Sequence, residues 1–124
     1  MAILKTYAHL YGDNLDKLIP LLTELTGAGP DVRVTLHEVE IAAIGDFLVF
    51  GGSEQAIAAL PPATATVIVS ALEDVSPVLE AHGAEIIAGD ADGPVGPYVY
   101  ARHPDGSVVE YLQPSPEVKA RILG

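Results

Sequence analysis

LDKLIPLL, residues 15–22, returns as LEDVSPVL at residues 72–79. Leu15 aligns with Leu72, Asp16 with Glu73, Leu18 with Val75, Pro20 with Pro77, Leu21 with Val78 and Leu22 with Leu79. Each octet follows a strand-like stretch and runs toward a glycine, Gly27 or Gly83, suited to ending a helix. A repeat in the same strand–helix context implies duplication. Proline is tolerated best near a helix start, so both helices are expected to begin close to Pro20 and Pro77.

Strands follow in each half. VRVTLHEVEIAAI (32–44) holds two strand-like runs, and GDFLVFGG (45–52) supplies a third after a Gly-Asp turn. In the second half AEIIAG (84–89), GPYVYARH (96–103) and SVVEYLQ (107–113) do the same. Each half therefore reads strand–helix–strand–strand–strand. The expectation is a single domain over residues 1–124, built of modules 1–52 and 64–113. Residues 53–63 form a linker with one helical turn capped by Ser53, ended by Pro61 and Pro62. Residues 114–124 form a tail, a short helix with Ser115 as cap and Pro116 at its first position. A ferredoxin-like fold shares the strand–helix alternation but leaves the hairpin at 96–113 unexplained.

That hairpin, read from ARHPDGSVVEY (101–111), turns at Asp105-Gly106. Beyond it Val108, Glu110 and Leu112 share one face, and Val109, Tyr111 and Gln113 the other. A carboxylate thus stands between two apolar neighbours, where it must be desolvated, paired or hydrogen-bonded. A turn of even length would put Tyr98 and Tyr100 on the face opposite Glu110, packed under a helix or at an interface.

The 124 residues suit one core, and 49% are apolar, but only 6% are aromatic and none is Trp. The formal charge of −11 disfavours nucleic acid and anionic membrane surfaces and suits a neutral or cationic ligand. Without Cys there is no disulfide, thiolate nucleophile or thiolate-bound metal. No apolar run reaches about 18 residues, and MAILKTY lacks the h-region of a signal peptide, so a cytoplasmic protein is expected. No GxGxxG, P-loop, HExxH or GxSxG motif occurs. His37, His82 and His103 are scattered over a strand end, a helix end and a turn, and form no cluster.

Two βαβββ halves ending in His103-Pro104-Asp105-Gly106 and Glu110 resemble the vicinal oxygen chelate superfamily over nearly the whole chain. That superfamily includes glyoxalase I, extradiol dioxygenases, fosfomycin-resistance proteins and bleomycin-binding proteins. The resemblance implies an α+β fold in which two βαβββ modules form a curved mixed sheet around a cavity. It also implies a homodimer. In metal-dependent members a Glu on the last strand is a metal ligand, as Glu110 would be. The other ligand positions, counted from the helix-ending and turn glycines, fall on Thr64, Tyr7 and Val49. Of these four only Glu110 is a good ligand, whereas a catalytic divalent metal needs about three His, Asp or Glu side chains. His9 shares the face of Tyr7 and would complicate that count if the first strand were shifted.

The resulting expectation is a glyoxalase/bleomycin-resistance-like small-molecule binding protein with no metal or other cofactor. Tyr7, His9, Val49, Thr64 and Glu110 are its candidate ligand-binding residues. The alternative is an enzyme of the same fold, a lyase, isomerase or dioxygenase. There Glu110 would act as acid or base, or join a divalent-metal site with His9.

Overall fold

The computed structural model describes residues 2–124. The elements run β1 (Ile3–Gly12), α1 (Leu15–Thr26), β2 (Val32–Leu36), β3 (Val39–Ile44), β4 (Phe47–Gly51), α2 (Glu54–Ala58), β5 (Ala65–Val69), α3 (Leu72–Ala81), β6 (Glu85–Asp90), β7 (Tyr98–Arg102), β8 (Val108–Leu112) and α4 (Pro116–Leu123). This is the α+β order of two βαβββ modules, with α2 in the connection and α4 as the tail. Both short helices carry the expected caps: Ser53 Oγ accepts from Ala56 N–H at 3.1 Å, and Ser115 Oγ from Val118 N–H at 3.4 Å. The chain divides into two compact units. One is Tyr7–Leu60, and the other is Pro61–Gly124 together with the residues up to Thr6.

In the first unit the strands lie in the order β2-β3-β4-β1. The β2–β3 and β3–β4 pairs are antiparallel, whereas β1 and β4 are parallel, with Ala8 opposite Phe47 and Gly12 opposite Gly51. Leu15 and Leu22 of α1 pack with Ala42, Ile44 and Val49 into a core cluster. Gly51 permits this approach, since a Cβ there would stand 2.9 Å from Leu15 Cδ2. The helix begins at Leu15, five residues before the expected start at Pro20. Asn14 decides the start: its Oδ1 accepts from Asp16 N–H at 3.0 Å, and Asp16 suits the positive helix end. Pro20 stands inside the helix. Gly27 ends it at φ 77°, its N–H donating to the Thr23 carbonyl at 2.9 Å.

In the second unit the order is β5-β8-β7-β6. Here β5 and β8 are parallel and the other pairs antiparallel. Ser70, after β5, donates its N–H to the Ala2 carbonyl at 3.0 Å and accepts from Ala2 N–H at its Oγ at 3.1 Å. Like α1, α3 starts five residues before its proline, at Leu72, and holds Pro77 inside. Its N-cap Ala71 has no capping side chain. The cap comes from the residue after β8, where Gln113 Oε1 accepts the Leu72 N–H at 2.9 Å.

The hairpin turn is longer than the even-length turn expected. His103 N–H donates to the Ser107 carbonyl at 2.8 Å, and Gly106 N–H to the His103 carbonyl at 2.9 Å. Arg102 therefore faces Val108 across five intervening residues, and Tyr100 faces Glu110. An odd loop reverses the parity, so Tyr98 and Tyr100 stand on the face of Glu110.

Replacing Gln113 by Ala removes the distant cap of α3. We expect a loss of about 1 kcal/mol in urea denaturation, the usual worth of an N-cap side chain. An unchanged unfolding midpoint would show that the Leu72 N–H finds another partner.

Candidate functional site

Parallel pairing of β5 with β8 and antiparallel pairing of β8 with β7 put Thr66, Glu110 and Tyr100 in one cross-strand row. Thr66 Oγ1 donates to Glu110 Oε1 at 2.5 Å, and the Tyr100 side chain also hydrogen-bonds the carboxyl group. The surroundings are dry: Thr66 is 1% exposed, Val108 6%, and Tyr100 and Leu112 8% each. Burial pushes the Glu110 carboxyl above its ordinary range, while the hydrogen bonds from Thr66 and Tyr100 pull the other way. The group can thus accept a hydrogen bond when ionised, donate one when protonated, or exchange a proton with a bound molecule.

The next row extends this surface. Tyr98 stands opposite Leu112 on one side and Asp90 on the other. The Tyr98 and Tyr100 rings meet edge to face, with centroids 5.7 Å apart. Burial raises the Tyr98 hydroxyl pKa, and the nearby Asp90 and Glu110 charges add to the effect. On the opposite face His103 belongs to the turn. Its Nε2 lies 2.8 Å from Tyr111 Oη and its Nδ1 3.2 Å from Ser107 Oγ, which donates to Asp105 at 2.7 Å.

In the first unit Tyr7, His9 and Tyr11 alternate onto one face of β1. His9 pairs with Leu48 and Tyr11 with Phe50. His9 Nδ1 lies 3.0 Å from Tyr11 Oη, and the His9 ring packs against Phe50 at 4.7 Å. Tyr7 is 2% exposed. Burial, followed by the Asp31 and Asp46 charges, pushes its hydroxyl up to about 12.

Val49 is placed differently from expectation. It lies opposite Leu10, on the other strand parity from His9, and is fully buried in the cluster beneath α1. Thr64 is exposed and precedes β5, its N–H donating to the Val108 carbonyl at 3.1 Å. The pairings show where counting went astray. Ala8 pairs with Phe47 as Ala65 pairs with Val109, so His9 is the repeat counterpart of Thr66 and Leu48 that of Glu110. Tyr7 and Thr64 therefore stand two residues early, and Val49 one residue late. Gly45 opens a two-residue turn whereas Gly106 is deep in a five-residue one, so equal counts from the two glycines land in different registers. Thr66 and Tyr100 were missed; applying the repeat offset to His9 instead of Tyr7 leads directly to Thr66.

Among the described residues no group of three or more His, Cys, Asp or Glu side chains could hold an ion. Glu110 has hydroxyl neighbours instead, and its first-module counterpart is the apolar Leu48.

No protein-family model matches the sequence, and no curated protein is a significant match. Solved structures do match. An uncharacterized protein from Methanosarcina mazei is 35% identical, with 93% of this chain and 95% of that one covered and a TM-score of 0.86. Methylmalonyl-CoA epimerase from Mycobacterium tuberculosis shares the fold at 14% identity, covering 95% and 93% of the two chains with a TM-score of 0.70. The Streptomyces coelicolor methylmalonyl-CoA epimerase does so at 9%, covering 92% and 99%, with a TM-score of 0.68. The chain shares the fold of these proteins. On its last strand it carries Glu110, with Thr66 and Tyr100 around it.

Two titrations test these environments. A carboxyl raised in the folded state makes its stabilising contribution at low pH and loses it as pH rises from about 4.5 through the folded pKa. The stability of the wild type relative to Glu110→Gln should therefore fall across that window in denaturant titrations. A flat difference would place Glu110 in water. By the same sign, wild-type stability relative to Tyr7→Phe should decline as pH rises from 10.0 to about 12. Melting curves that track each other over that range would contradict the assigned burial.

Proposed function

We propose that this protein is a metal-independent small-molecule binding protein of the vicinal oxygen chelate superfamily. The observation that carries the reading is the Thr66–Glu110–Tyr100 row, a half-buried carboxyl group held by two hydroxyl side chains among apolar neighbours. Ligand sites are largely apolar surfaces with a few fixed polar groups, and this row has that make-up. The carboxylate prefers a ligand that donates a hydrogen bond or carries positive charge. The formal charge of −11 favours the same class. Some structural relatives are epimerases acting on a CoA ester, one described in complex with methylmalonyl-CoA. A polyphosphorylated ligand of that kind suits this acidic chain poorly. We extend the proposal to a homodimer in the cytoplasm, the assembly and compartment that the sequence reading favours. No helix among the described residues is long and apolar enough to cross a membrane.

A second reading rests on the raised Glu110 pKa and on the epimerase neighbours. Glu110 would remove and return a proton beside a carbonyl group, without metal.

The test is a thermal-shift screen of neutral and cationic compounds, followed by mass analysis of the recovered ligand after incubation in D2O. A ligand that raises the melting temperature of the wild type but not of Glu110→Gln, is recovered unchanged and ignores EDTA supports binding. Deuterium incorporation that Glu110→Gln abolishes supports the acid–base reading. Stoichiometric metal in the purified protein, with stabilisation lost on chelation, would overturn both.

A further inference from the structure

A hollow of about 400 Å³ opens in the first unit, away from the Glu110 row in sequence and built from other elements. β1 and β4 are parallel and end side by side, Tyr11 opposite Phe50 and Gly12 opposite Gly51. The chain then leaves β1 toward α1 and β4 toward α2. The hollow lies at these two exits, lined by Tyr11, Gly12 and Asp13 from one and by Gly52, Glu54 and Ile57 from the other. Gly12 and Gly52 add no side chains, and the lining surface is almost wholly apolar, with Asp13 and Glu54 among the residues that bound it.

Tyr11 is unusual in being both exposed and fixed. It is 43% exposed. Its ring is stacked on Phe50 at 4.9 Å and 21°, and its hydroxyl lies 3.0 Å from His9 Nδ1. An aromatic face held in place loses little conformational freedom on binding. Aromatic faces attract cations, and the attraction grows when the cation is partly desolvated. Asp13 Oδ1 accepts from the Asn14 N–H at 3.0 Å, and its Oδ2 has only a loose, solvent-exposed ion pair with Lys17 Nζ at 3.9 Å. Glu54 is exposed.

We propose that this hollow is a second small-molecule site, for an organic monocation with an apolar body. The ammonium end lies against the Tyr11 ring between Asp13 and Glu54, and the apolar body packs on Ile57 and Ala58. The volume sets the size, near the lower end of drug-sized pockets. Phosphorylated and carboxylated ligands are excluded by the same two carboxylates. This proposal stands whether or not Glu110 serves the function proposed above.

The probe is benzyltrimethylammonium, titrated into the full-length protein and followed by amide NMR shifts, with benzyl alcohol as the neutral analogue. Saturable shifts at Gly12 and Gly52 are expected, stronger for the cation and weakened by salt. Tyr11→Leu keeps the apolar bulk and should weaken cation binding by about 2- to 30-fold, the range of a cation–π contact. Glu54→Gln should weaken it as well. Glu80→Gln makes the same charge change on the exposed side of α3 and should leave binding unaltered. Absence of saturable shifts, equal affinity for benzyl alcohol, or equal losses in Glu54→Gln and Glu80→Gln would each overturn the proposal. Should Tyr11→Leu fail to fold, the comparison of the two glutamate variants decides.

Discussion

Each module rests on one constraint: its last strand lies parallel beside its first. Parallel neighbours cannot be joined by a tight turn, so the chain must travel over a helix and return. Here α1 or α3 provides the passage, and two antiparallel strands bring the chain back to register. That closing pair fixes which side chains become neighbours. Thr66 meets Glu110 because β5 and β8 are aligned in that register, and His9 meets Leu48 because β1 and β4 are aligned in the same one. A slip of one residue would turn Glu110 toward the opposite face.

The duplication, the strand count and both short helices were legible because each rests on local chemistry. Ser53 and Ser115 announce their helices through hydrogen bonds that span only a few residues. The start of α1 is local too, but two signals compete there, and the Asn14 cap overrides the preference of Pro20 for a first turn. The start of α3 is harder, because its cap is Gln113, 41 residues further along the chain. Parity across the last hairpin depended on whether His103–Ser107 closes an odd or an even loop, and the Asp-Gly pair alone does not reveal this. That single ambiguity hid Tyr100 from the site. The candidate site was therefore legible at Glu110 and obscure around it.

The two modules have diverged at equivalent positions. Where one has Thr66 beside Glu110, the other has His9 beside Leu48. In the second module the chain keeps a carboxyl group that is costly to bury, and it reduces that cost with two hydroxyl partners. In the first it gathers His9, Tyr11 and Phe50 into an aromatic group, in a sequence that has only seven Tyr and Phe residues altogether. A shared backbone thus supports two different recognition surfaces.

β1 belongs partly to each unit: its residues up to Thr6 group with the second module and those from Tyr7 with the first. The repeat boundary in the sequence is therefore not a place where the molecule comes apart cleanly. A fragment starting at residue 64 would leave the outer side of β5 as a bare edge, with backbone donors and acceptors open to any extended chain. Such an edge invites self-association, and residues 3–6 of β1, which group with β5 in one compact unit, act as its built-in guard.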